Sequence, residues 1–126
     1  MKYLNLGSRL LLGAIFLIFG LNGFLGFIPL PPLPEQAGAF LGAIAKTGYL
    51  FHFIKTTEVI SGAMILAGFQ IPLALLFLTP IALNIFLFHF VLTGPATTGL
   101  PILILVLIGT QAWIHRARYR NIFVQG

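Results

Sequence analysis

Four long apolar runs, each about a membrane's depth, constrain this chain more than any other feature. They cover residues 6–27, 50–68, 72–92 and 99–115, with short polar or proline-bearing breaks between them. Crossing a hydrocarbon core of about 30 Å takes roughly 20 predominantly apolar residues in a helix. The first three runs meet that length and the fourth is slightly short. Lipid offers the backbone no water to bond, so a spanning segment must close its own hydrogen bonds, as a helix does. The reading is an all-α membrane protein: a four-transmembrane-helix bundle forming a single domain over residues 1–126. Composition agrees. Residues are 59% hydrophobic and 7% charged, against roughly a quarter charged in a soluble domain. Too few polar groups exist to cover a surface in water.

The formal net charge of +5 would suit a nucleic-acid binder, but its placement argues against one. Lys2 and Arg9 stand near the start, Arg116, Arg118 and Arg120 follow the last run, and Lys46 and Lys55 balance Glu35 and Glu58. Cations gathered at both ends are the positive-inside signal and place both termini in the cytoplasm. Four spans return the chain to its starting side, as that requires. Attraction to anionic headgroups is the local consequence, and nucleic acid drops out as a partner. The expected location is a cell membrane crossed several times, a bacterial inner membrane foremost. The basic start resembles a signal peptide, but no small-x-small cleavage site precedes the next polar residues, so a retained first helix is expected. The absence of cysteine excludes disulfides, thiol relays and Cys-ligated clusters. Electron transfer would then need a quinone, a haem or a partner protein.

The connections differ in kind. Between the second and third runs lies only "GFQIP" (68–72), where Gly68 ends one helix and Pro72 opens the next, forcing an antiparallel hairpin. "TGPATTGLP" (93–101) is a polar turn on the outer side. In the long first connection, "PLPPLP" (29–34) predicts extended backbone. "EQAGAFLGAIAKTG" follows, with Ala37, Phe40, Leu41 and Ile44 at i, i+3, i+4 and i+7. Glu35 at its start, Lys46 at its end and Gly48 beyond fit the helix dipole and a C-cap. A short amphipathic helix over about 35–47, at the outer interface, is predicted. Tyr3 and Trp113 fall at the inner boundary and Tyr49 at the outer, where aromatic side chains anchor. Pro80 interrupts the third helix's hydrogen bonding, and Ala63 and Ala67 are small enough for close helix contact.

Depth estimates bring the polar residues together. At about 1.5 Å rise per residue, Glu58 lies roughly 12 Å from the outer surface, with Asn84 at a similar depth. Lys55 and Asn22 are shallower, and His89 and His52 shallower still. The outer half of the bundle thus collects polar groups from three helices, while the cytoplasmic half reads as almost purely apolar. An intramembrane charge normally faces a partner or a wet cavity. Lys55 and Glu58 are spaced to pair at i, i+3, Gly62 continues that face, and Asn84 is placed to hydrogen-bond Glu58 from across the bundle. Three readings stay open for this set. It is glue that fixes helix register; or a cavity for a small polar or quinone-like ligand; or a proton path in which Glu58 carries the proton. A quinone site would draw on Asn22, Lys55, Glu58, Asn84 and His89, with donors from Lys55, Asn22, Asn84 and His89 and ring walls from Phe24, Phe86 and Phe88. Asn84 and His89 stand about 140° apart on their helix, so which of them faces inward stays open. No tight ligand spacing calls for a metal, and a bis-histidine haem would need His52 and His89 to face inward at one depth. No covalent or motif-encoded cofactor is visible, and nothing resembles a nucleophile elbow or a phosphate loop.

Over nearly its whole length the chain resembles the DoxX family of small four-helix integral membrane proteins. The residues that carry the likeness are "RLLLGAIFLIFGLNGF" after a basic start, "PLPPLPEQAGAFLGAIAKTGYL", "TTEVISGAMILAGF" and "ALNIFLFHF". The resemblance implies a four-helix bundle associated with redox metabolism, one branch resembling a membrane subunit of a thiosulfate:quinone oxidoreductase. It matches Glu58 to the family's acidic position, and Asn84 and His89 to its polar positions. Many members carry a basic residue after "GLN", where this chain has Gly23; Lys55 is the available substitute. The functional expectation is a redox-associated subunit, with a quinone as candidate ligand, that acts with a protein partner or as a homo-oligomer rather than as a stand-alone enzyme. The alternative is a non-catalytic accessory or scaffold subunit of a larger membrane complex. A small transporter is a third reading.

Overall fold

The structure is a computed structural model describing residues 2–26, 32–94 and 98–124. Among these residues it is all-helical. The long first run gives α1 (Lys2–Leu25), which begins before the apolar run because "KYLN" continues the helix, and ends where Gly26 turns left-handed at φ +64°. The amphipathic connection gives α2 (Glu35–Lys46), preceded by an extended Pro34 at φ −55°, ψ 157°. The expected extended stretch is thus met at Pro34, while its residues 29–31 lie outside the described residues. Thr47 closes α2, its hydroxyl donating to Ile44 O and accepting from Leu50 N, and Gly48 takes φ +83°.

α3 (Leu50–Ala67) ends at Gly68, φ +75°, and α4 (Ile71–Leu87) begins three residues later with Pro72 in its first turn. The predicted hairpin is there. Gln70 bears part of the turn at φ +47°, a left-handed conformation that side chains with a Cβ seldom adopt. The helix of α4 continues as a π-helical segment, Phe88–Thr93, sealed by Gly94 N–H donating to His89 O at 2.8 Å. The outer turn's residues 95–97 lie outside the described residues. α5 (Gly99–Ile114) follows, then α6 (Arg116–Val124). α6 extends the helical chain beyond residue 115, where the apolar run ends.

Among the described residues three stretches are long and apolar enough to cross a membrane: Lys2–Leu25, Leu50–Ala67 and Ile71–Thr93; α5 is a shorter apolar helix. α1, α3, α4 and α5 pack in a ring, each against two neighbours, with α2 laid against α3 and the π-helical segment. Leu12 and Phe16 of α1, Ile65 of α3, Ala74, Leu75 and Leu78 of α4 and Ile104 and Ile108 of α5 meet in the core. The outer faces are just as apolar: Leu11, Ile18, Phe53, Ile60, Phe77, Leu83 and Val106 are exposed. A skin of that kind marks a surface that meets lipid or protein rather than water.

The tightest seam joins α1 to α3, and glycines make it. A Cβ on Gly62 would lie 2.7 Å from Leu17 N, and one on Gly13 would lie 3.0 Å from Gly62 O and Leu66 N. Backbone meets backbone there. Ala63 and Ala67, the small residues expected at this contact, are instead exposed, because they sit about 100° and 140° around the helix from Gly62 and Glu58's buried face.

Candidate functional site

Glu58 faces α1 because it shares one helical face with Ser61, Gly62 and Ile65, all buried. Gly20 opposes it: a Cβ there would lie 3.2 Å from Glu58 Cβ and 2.8 Å from Val59 Cγ2. One turn towards the α3 start, the Lys55 stem fills the space a side chain at Gly23 would need, with Cγ and Cδ 2.6 Å from the position of a Cβ. Lys55 Nζ reaches Glu58 Oε2 at 3.3 Å, with the glutamate side chain 3% exposed and the lysine 24%. The ammonium also lies 5.8 Å from the Phe51 ring centre, within reach of a cation–π attraction. Asn22 is buried at this same end of α1. The i, i+3 pairing read from the sequence is therefore present, packed against a bare stretch of α1.

Asn84 is elsewhere. The buried face of α4 runs through Leu75, Leu78 and Ala82. Position 84 lies about 200° around the helix from Ala82, which turns its amide away from the core and from Glu58. It is exposed and lines an open groove of about 260 Å³ with Phe40 of α2 and Leu87, Phe88, Val91 and Leu92. The Phe40 and Phe88 rings meet 5.7 Å apart at its edge, so α2 packs its apolar face on the π-helical segment. His89 Nδ1 lies 2.9 Å from Ile85 O of its own helix, with the Phe88 ring edge-on at 5.3 Å. Of the other rings considered as quinone walls, Phe24 faces His52 and Phe86 stacks on Phe90. His52 is exposed and does not face inward. Among the described residues no three histidine or acidic side chains gather in one place.

The expected single outer site is thus two places: an internal ion pair on the α1–α3 seam, and a lateral groove at Asn84. A further polar cluster lies at the opposite end, where only apolar packing was expected. Gln111 is 0% exposed and donates from Nε2 to Ser8 Oγ at 2.7 Å and to Asn5 Oδ1 and Asn5 O at 3.1 Å. Gln111 Oε1 and Arg9 Nε are buried without a hydrogen-bond partner. The sequence held a signal for this cluster, since Gln111 is the sole amide side chain in the fourth run. Comparison with protein-family models, with curated proteins and with solved structures finds no match.

Chemically, the ion pair links two positions of α3 and packs against α1, and neither residue lines the groove. The groove suits a flat ring: aromatic and aliphatic walls with one amide able to donate or accept. At about 260 Å³ it is smaller than pockets that enclose drug-sized ligands.

Proposed function

We propose that this chain is a DoxX-like, redox-associated subunit of a cell-membrane complex, non-catalytic in itself and dependent on a protein partner. On this reading α1, α3, α4 and α5 all span the membrane, with both termini cytoplasmic, and the Asn84 groove receives a quinone ring. Asn84, Phe40 and Phe88 would hold the ring; the quinone would supply the electron-accepting chemistry that a cysteine-free chain lacks. The observation that carries the reading is the separation of the two polar places. Glu58 and Lys55 neutralise one another inside the α1–α3 seam, whereas Asn84 offers an amide to a groove otherwise lined by Phe40, Leu87, Phe88, Val91 and Leu92.

The test is native mass spectrometry with quinone analysis on gently extracted wild-type, Asn84→Leu and Glu58→Gln proteins. Quinone retained by wild type and Glu58→Gln but lost from Asn84→Leu supports the groove. Quinone absent from all three, with a protein partner retained, moves the assignment to an accessory or scaffold subunit, for which the internal position of the ion pair already speaks.

A further inference from the structure

The chain's uncompensated charge is held at one end of the bundle. α5 breaks at His115, at φ −101° and ψ 18°, and Tyr119 then ties α6 to the start of α4. The Tyr119 hydroxyl donates to Pro72 O at the start of α4 at 2.8 Å, and Tyr119 packs against the apolar core. α6 is thereby latched across the bundle end, beside the α3–α4 turn. Arg116, Arg118 and Arg120 are all exposed. The Gln111–Asn5 bonds bring the first turn of α1 to the last turn of α5, so exposed Lys2 joins the same end. The chain's two acids are remote from it: Glu35 opens α2, and Glu58 is paired with Lys55.

Two further features select the partner. The Arg116 guanidinium lies 4.0 Å from the Trp113 ring centre, and that ring is 61% exposed. An exposed indole carrying a cation, just where an apolar helix ends, suits the boundary between acyl chains and headgroups. The neighbouring outward residues, Leu4 of α1 and Val106 of α5, are apolar and exposed, so the cationic face continues into a lipid-facing one. We propose that α6, latched by Tyr119, is a binding face for the headgroups of anionic phospholipids. Clusters of basic residues at a span's end attract such lipids through the charge of the headgroup layer; here the latch holds the cluster in place. The proposal rests on the membrane-embedded placement of the helices given above.

The test is reconstitution of the full chain in vesicles of equal phosphatidylglycerol and phosphatidylcholine, followed by measurement of the lipid retained on mild extraction. Wild type is expected to retain phosphatidylglycerol several-fold in excess. Arg116→Gln/Arg118→Gln/Arg120→Gln should lose that excess, and Tyr119→Phe, with every charge kept, should lose most of it. Raising NaCl to 1 M shortens electrostatic reach from about 10 Å to about 3 Å and should erase the excess in unaltered protein. No excess in wild type, or an excess that survives loss of the three arginines or high salt, overturns the proposal. Full retention by Tyr119→Phe overturns the latch. Failure to enter vesicles at all would instead overturn the membrane placement.

Discussion

Removing Lys55 alone would leave Glu58, 3% exposed, as a carboxylate without its counter-ion in an apolar seam. Breaking a buried pair in this way destabilises by about 3–5 kcal/mol, whereas replacing both partners with apolar residues of similar volume is often neutral or stabilising. Lys55→Met should therefore lower unfolding stability in detergent by about that amount, and Lys55→Met/Glu58→Met should recover most of it. A double variant as weak as the single one would show that the pair does more than fix the seam. Asn84→Leu makes the opposite kind of test. Its side chain is exposed and off the core, so stability should stay within about 0.5 kcal/mol of wild type, leaving quinone retention as the property that changes.

At the scale of the element, the α1–α3 contact is decided by where glycines face. Gly62→Ala places a methyl group against Leu17 and Gly13 backbone, which no rotamer change relieves, so the two helices must separate. Gly109→Ala, on α5, meets nothing within 4 Å and should be tolerated. Thermal unfolding in detergent is expected to fall for the first and hold for the second. Much of this architecture was legible: apolar run length located the helices, Gly68 and Pro72 the hairpin, and Glu35 to Lys46 the amphipathic segment. Facing was not. In a soluble helix a polar stripe marks the outside, but here Leu83 and Phe77 outside are as apolar as Leu75 and Leu78 within. Hydropathy therefore could not show that Asn84 turns outward, or that Ala63 and Ala67 leave the contact to Gly62. The i, i+3 pairing of Lys55 with Glu58 was readable because it depends on spacing along one helix.

For the molecule as a whole, Tyr119 joins the last helix to the first turn of α4. Its burial pushes the phenol's pKa above its ordinary value of 10.0. A group protonated more tightly in the folded state contributes stability that is full below the unfolded pKa and lost as pH rises through the folded one. The latch should therefore hold through neutral and mildly alkaline pH and release only above about pH 10. A nitroxide on Ala117→Cys, labelled uniquely in this cysteine-free chain, should remain restricted below that pH and gain mobility above it. Tyr119→Phe should show the mobile spectrum at neutral pH.

The ring of helices also has unequal sides. α1 has 24 residues and its neighbour α5 has 16, lengths of about 36 Å and 24 Å at the α-helical rise. With all four helices in lipid, the short α5 favours a thinner bilayer beside it, while α1 fits a thicker one or tilts. The protein would then sit in the membrane as a wedge. Its thin flank would be favoured by shorter acyl chains, or by a partner whose own nearby helix is equally short. Stability in bilayers of graded acyl length should peak on the short side of about 30 Å, and lengthening α5 by two turns should move that peak towards thicker membranes.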